Sequence, residues 1–369
     1  MLPPVADRPK LNAVLDQLSE AVEELLLGGL TTTSDATRQT LAIATQEAAR
    51  FRLLRLGSSL RAVTEELGRY TKQDPAFSRR RLSFFLNRGW LLSRGITHAL
   101  RSDDDAKYDK LNWNPPTTPV PNVEAVCLGV VKKVAVGSFA MFEFRLRAIA
   151  ESGPIATGQR LSWSAVFPIK PGVDIPAEGY LHLPQKQKFK PTAFLEKKVV
   201  SIQNATVSLD ESGGGRLSLT EHSTVTVGSP FAEWDRFLQW SPEPAIERLQ
   251  HHKASPLDLE TELQDEVVLR DYSIGPKEAG LEPGQSIHPI TAGRITWHAT
   301  VDNETIGKAI DDLRKTKKDS PPLFGVMHYE RCRLVLQPLA AFGKDGPDYL
   351  AISKANIDKA ALLKAMSFK

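Results

Sequence analysis

Near Val123 the apolar period of this chain falls from three-and-four to two, so helices are expected first and a β domain after them. Over residues 9–27, Leu11, Val14, Leu15, Leu18, Val22 and Leu25 recur at helical steps, while Asp16, Glu20, Glu23 and Glu24 make that helix acidic. Gly28-Gly29 ends it, and Ser34 supplies the N-cap of a second helix. Leu53, Leu56, Leu60, Val63 and Leu67 draw one stripe along a third, with Arg52, Arg55, Arg61 and Arg69 off the stripe. Asp74-Pro75 predicts the start of a fourth, running to about Leu100, in which Gly89 and Gly95 weaken the helix or admit a close neighbour. Beyond the switch, Phe142, Phe144, Leu146 and Ala148 alternate with Glu143, Arg145 and Arg147, and Leu161, Trp163, Ala165 and Phe167 repeat the pattern. Further strands are expected at about 124–134, 179–183, 197–209 and 215–227. The last two are joined by Ser212-Gly213-Gly214-Gly215, which is hairpin chemistry and not a phosphate loop, because no helix follows.

The fold class this implies is a multidomain α+β protein: an N-terminal helical bundle, a central antiparallel β-barrel and a C-terminal small α/β unit. A chain of 369 residues with 41% hydrophobic content has enough material for two or three cores. The boundaries read as a helical, basic domain over 1–102 and a linker over 103–122 rich in proline (Pro115, Pro116, Pro119, Pro121). A β domain then covers 123–240, an irregular connection 241–284 and the small α/β domain 285–369. In that last part strands are expected near 293–301, 323–330 and 332–338. A helix over 303–315 is capped by Asp302 or Asn303, and a terminal helix after Ser353 carries Ile357, Ala360, Leu363 and Met366 on its apolar face. Apolar runs are too short for a membrane helix, which needs roughly 20 residues, and no leader pattern opens the chain. No membrane partner is expected, and the cytoplasm is the expected location. Cys127 and Cys332 read as small buried thiols.

Charge is concentrated rather than spread. The protein as a whole is +3, yet residues 36–101 hold thirteen Lys/Arg against Glu47, Glu65, Glu66 and Asp74. On the fourth helix Arg80, Asn87, Arg94 and Arg101 recur every seven residues, and His98 lies four beyond Arg94, which sets them on one face. Arg79, Arg80, Arg81, Arg88, Arg94 and Arg101 are the candidate contacts there, since a guanidinium donates two parallel hydrogen bonds to a phosphate. Two other uses of these arginines stay open: a solvated face, or pairing with the acidic first helix. Lys186, Lys188 and Lys190 alternate with Gln187 and Phe189, so in an extended segment the cations would face one side and Phe189 the other; protection of a sheet edge is the competing use.

Residues 194–227 carry Val200, Ile202, Asn204, Ala205 and Val207, a glycine turn, and then Leu217 and Leu219. This run resembles the final strands of OB-fold domains of the replication protein A type. The resemblance implies a small Greek-key barrel, OB-like, whose face and loops hold single-stranded nucleic acid. Phe189 and Trp163 are the aromatic candidates, although Trp163 shares its face with Leu161 and Phe167 and belongs to a core. The alternative is an adaptor or assembly subunit, its helical face, β domain and C-terminal unit serving as docking surfaces and its arginines meeting an acidic protein; the segment from 322–328 through Pro338-Leu339 resembles bacterial proteins encoded beside ring ATPases and zinc-finger partners.

Signatures of catalysis are missing from the sequence. There is no Walker loop, no GxSxG, no HExxH and no dinucleotide fingerprint. His251-His252 lacks a third ligand at useful spacing; His182, His222, His288, His298 and His328 are dispersed and read as hydrogen-bonded residues. Glu260, Glu262, Asp265 and Glu266 read as a solvated acidic face. No metal and no cofactor is expected, and the reading is a non-enzymatic, nucleic-acid-binding accessory protein; oligomeric state is left open.

Overall fold

The computed structural model describes residues 2–30, 34–75, 77–112, 116–135, 139–169, 175–210, 213–251, 257, 264–280, 285–301, 304–316, 320–330 and 333–352. It divides into two compact units, residues 1–115 with 254–258, and residues 116–253 with 259–369.

The first unit holds α1 (Arg8–Gly28), α2 (Asp35–Arg50), α3 (Leu54–Thr71), α4 (Arg79–Arg101) and α5 (Asp105–Asn112). Its core is the set of stripes visible in the sequence, with Leu11, Leu15, Leu18, Leu56, Leu60, Leu92 and Ile96 almost fully buried. Ser34 caps α2, its Oγ accepting from Thr37 N at 3.1 Å. The fourth helix starts later than Asp74-Pro75 suggests. Asp74 carbonyl instead accepts from Phe77 N in a turn, and Ser78 caps α4 by accepting from Arg81 N at 3.2 Å. Residues 105–112, expected as extended linker, are helical because Asp104 Oδ1 caps Lys107 N at 2.9 Å and the prolines begin only at Pro115. Asn112 then accepts from Leu54 N at 3.0 Å, completing the start of α3, which has no cap of its own. A Cβ on Gly95 would lie 3.0 Å from Leu111, so this glycine is where α5 closes on α4.

In the second unit, β1 (Thr118–Ala135), β2 (Phe139–Ala148), β3 (Arg160–Pro168), β4 (Lys198–Leu209) and β5 (Gly215–Pro230) close a barrel in the order β1-β2-β3-β5-β4. All pairs are antiparallel except the short β3–β5 contact, Leu161 with Gly215 and Ser162 with Arg216. This order is that of the five-stranded Greek-key OB barrel, so the resemblance of residues 194–227 holds in topology. Asn204 is the pivot of that run. It takes a positive φ of 55° where Gln203 and Ala205 pair with Thr224 and Leu219, leaving Thr220, Glu221, His222 and Ser223 as a bulge held by Asn204 carbonyl. Asparagine tolerates this left-handed conformation better than most residues.

The strand expected at 179–183 is a 3-10 helix, Ala177–His182, bracketed by Pro176 and Pro184. With a second 3-10 turn, Pro191–Leu195, it plugs the barrel through Tyr180, Leu181 and Phe194.

The chain continues through α6 (Glu243–His251), β6 (Asp265–Leu269), β7 (Tyr272–Ile274), β8 (Glu278–Ala279), β9 (Ser286–Ala292), β10 (Ile295–Val301), α7 (Glu304–Lys315), β11 (Leu323–Glu330), β12 (Arg333–Gly343) and β13 (Gly346–Tyr349). The strands form one sheet, β6-β11-β12-β10-β9-β7, with β13 on β12 and β8 on β9. Thus 241–284, expected to be irregular, contributes a helix and three strands. Ile306 and Ile310 of α7 pack with Trp297, Ala299 and Leu336, whereas Val268, Phe324, Val326 and Leu339 join the core of the barrel. Gly129 of β1 makes that junction possible, because a Cβ there would lie 2.8 Å from both Leu339 and Phe324. Tyr349, buried in the same place, donates to Cys127 carbonyl at 3.0 Å, and burial pushes the Cys127 thiol up to about 12. The Asp302/Asn303 cap, Cys332 and the terminal helix lie outside the described residues. Among those described, no helix is long and apolar enough to cross a membrane.

Candidate nucleic-acid interface

On α4 the row of period seven is real: Arg80, Asn87, Arg94 and Arg101 are all exposed, as is His98. The charge along it is uneven. Arg101 pairs with Asp16 of α1 at 2.7 Å, the internal neutralisation that the acidic first helix made conceivable. Arg81 is held by Glu66 of α3, its Nε 2.8 Å from Oε1, and Arg69 binds the same carboxylate. Burial alone would raise the Glu66 pKa, but hydrogen bonds from Ser78 N, Arg81 and Arg69 outweigh it and hold the group below its ordinary value. Arg88 is not a surface residue. At 2% exposure it donates from Nε to Leu257 carbonyl at 2.9 Å and from Nη1 to Ser59 Oγ at 3.2 Å, tying residue 257 to the bundle. Arg79, Arg80 and Arg94 remain, exposed and without an ion pair among the described residues.

The lysine segment differs from the extended form expected of it. Lys188 N donates to Gln185 carbonyl at 2.9 Å and Gln185 N to Phe189 carbonyl at 2.8 Å, so the chain turns, with Lys188 at φ 63°. A turn presents Lys186, Lys188 and Lys190 to solvent together, and Gln187 anchors it to β5 through Thr220 carbonyl at 3.0 Å. Phe189 is no platform. It is buried against Trp163 and Phe194 with centroid distances of 5.5 and 6.1 Å, and Trp163 is core as its strand parity indicates.

The outer face of β2 and β3 holds groups that alternation conceals. Register places Phe139 beside Pro168, Met141 beside Val166, Glu143 beside Ser164, Arg145 beside Ser162 and Arg147 beside Arg160. At the arginine end the face is already occupied. Arg147 pairs with Glu266 and Arg160 with Asp265 at 2.5 Å, while Arg145 binds Glu143 at 2.5 Å and Gln264 at 3.2 Å. Asp265 and Glu266, expected as a solvated acidic face, are therefore clamps between sheet and barrel; Glu260 and Glu262 lie outside the described residues. At the other end Phe139 and Val166 are 37% and 57% exposed, and Lys133 of β1 is paired in register with Met141. Phe139 stacks on no other ring among the described residues. The signal was present in the sequence: Phe139 and Met141 share the parity of Glu143, Arg145 and Arg147, the polar face, where apolar side chains have no core to enter.

His251 Nδ1 lies 2.8 Å from Glu247 carbonyl, and among the described residues no three His, Cys, Asp or Glu side chains converge as metal ligands. His182 and His222 are exposed, and His288, His298 and His328 lie on strands of the C-terminal sheet.

No protein-family model matches the sequence, and no curated protein matches it. Among solved structures, the chain is similar to the HINa domain of Ifi202 in complex with 20-bp double-stranded DNA, at 11% identity over 60% of this chain and 94% of that one, with a TM-score of 0.27. It is similar to p202 HIN1 in complex with a 12-mer duplex at 14% identity over 60% and 88%, with a TM-score of 0.26. A replication protein A heterotrimer bound to single-stranded DNA is matched at 12% identity over 61% of this chain and 49% of that one, with a TM-score of 0.25. Likeness this slight carries no argument about what the present chain binds.

Proposed function

We propose that this protein binds nucleic acid, single strands above all, as a non-catalytic accessory factor. The observation that carries the reading is the open end of the β2–β3 face. There an exposed aromatic, Phe139, shares a face with Met141, Val166 and Lys133 on a barrel of OB order. An apolar ring in water on the same face as a lysine suits an unpaired base flanked by its phosphate, because every base has a stacking face and every nucleotide a charge. Arg79, Arg80 and Arg94 on α4, and Lys186, Lys188 and Lys190 at the turn, supply sequence-independent attraction to a backbone.

The test is a titration of labelled single- and double-stranded DNA and RNA at two ionic strengths. Binding is expected to weaken steeply with salt and to favour single strands. Phe139→Ala should cost roughly 1–3 kcal/mol on single strands and much less on duplex. The double variant R80E/R94E should weaken both and flatten the salt dependence. Absence of binding at low salt would sink the proposal.

A further inference from the structure

We infer that the C-terminal half of α4 carries an oxyanion site, whose ligand is a phosphoryl group. Arg94, Thr97, His98, Arg101 and Ser102 line an open recess of about 420 Å³ on the first unit, a volume in the range of small-ligand sites. Residues 94, 97, 98 and 101 are spaced i, i+3, i+4 and i+7, so one helical face delivers all four side chains to the same place.

Their hydrogen-bonding character is one-sided. Lys107 Nζ lies 3.3 Å from His98 Nδ1. An ammonium only donates, so Nδ1 accepts, the proton of the neutral ring sits on Nε2, and that N–H is left to donate elsewhere. Ser102 Oγ gives its proton to His98 carbonyl at 2.8 Å, which fixes the rim of the recess. Thr97 is the independent sign of a ligand. It is 4% exposed, and its hydroxyl has no hydrogen-bond partner among the described residues, although a helical threonine readily bonds the carbonyl four residues back. A buried hydroxyl without a partner is a cost that a bound acceptor removes.

Among the described residues Arg94 has no ion pair and Arg101 has one, with Asp16, through side chains that are 61% and 34% exposed. Pairs in water of that kind contribute little, so a phosphate oxygen can take the place of Asp16. The carbonyls at the end of α4 and the Asp16 carboxylate oppose an anion; two guanidiniums, the Lys107 ammonium and the two neutral donors favour it. A phosphoryl group fits this set because it presents several acceptor oxygens to donors arriving from different sides.

This inference deepens the polyanion reading of α4 and stands apart from the barrel. Its test is calorimetric titration of the full chain with inorganic phosphate, ionic strength held constant with chloride. Phosphate should bind where chloride does not. R94A should weaken it about tenfold, the scale of one charge-assisted contact. T97V changes no charge, and should weaken phosphate severalfold while leaving the urea midpoint equal or higher. D16N should tighten binding, whereas E24Q, the same charge change elsewhere on α1, should not.

No phosphate-specific binding, or binding indifferent to both R94A and T97V, overturns the inference. Competition between phosphate and a single-stranded oligonucleotide would identify the ligand as backbone; simultaneous binding would identify it as a free phosphate or phosphorylated small molecule. A chain that binds oligonucleotide and not phosphate loses this site and keeps the barrel reading, and the opposite result does the reverse.

Discussion

His288 departs most from what its residue type leads one to expect. It is fully buried on β9, opposite Ala299 of β10, and neither ring nitrogen has a partner among the described residues. Burial lowers its pKa, Asp311 opposes that, and Lys277 and Arg314 add to it. The sign follows from linkage. An unfolded histidine takes up its proton near 6.5, whereas the folded one resists, so above about pH 7 the group contributes no pH dependence and below 6.5 the unfolded state is favoured. Stability should therefore fall as pH drops from 7 to 5. His288→Leu should remove part of that fall and cost little at pH 7.5, because the ring forfeits no hydrogen bond on leaving. Urea midpoints at pH 7.5 and 5.5 check this; an equal drop in both proteins would refute it. The same scale shows where sequence reasoning stops. Spacing set Arg80, Arg94 and Arg101 correctly on one face, since a helix repeats with known geometry. It could not separate Arg94, without an ion pair, from Arg101, paired across to α1, or foresee Arg88 inside the bundle, because those outcomes depend on neighbours distant in sequence.

At the scale of elements, α3 and α4 are joined by a charge and not only by leucines. Glu66 is 1% exposed and collects Ser78 N at 2.9 Å, Arg81 and Arg69, so one carboxylate secures the first turn of α4 and consumes two of the basic residues that make the segment conspicuous. Glu66→Gln should destabilise the first unit by about 2–3 kcal/mol, since it leaves two guanidiniums facing a neutral amide in a buried site. Its urea transition, followed by the loss of helical signal, gives the measurement, and a cost below that of a surface substitution would show the clamp to be incidental. Helices with clean stripes and strands with clean alternation were legible in residue order, as were the bundle, the barrel and the glycine hairpin. The short strands β7 and β8 were not, since three and two residues are too few to display a period. Residues 177–182 misled because a 3-10 turn between prolines can imitate the spacing of a strand.

In the molecule as a whole, the barrel and the C-terminal sheet lie in one compact unit and share a core. Phe324, Val326, Leu339 and Phe342 belong to the barrel's core, Arg147 and Arg160 reach Glu266 and Asp265 of β6, and Tyr349 bonds to β1. This shared interior also decides which part of the β2–β3 face stays open, because the sheet occupies the arginine end and leaves Phe139 and Val166 to solvent. Gly129 tests the claim. Its missing Cβ leaves room for Leu339 and Phe324 at 2.8 Å, where any side chain forces β1 and β12 apart. Gly129→Ala should cost about 1–3 kcal/mol, and its effect should not stop at β1. Hydrogen exchange should quicken together in β1–β5 and in β6, β11 and β12, with α1–α4 unchanged because their core lies in the other unit. Faster exchange confined to the barrel, with β11 and β12 as protected as before, would show two separate domains in contact and not one.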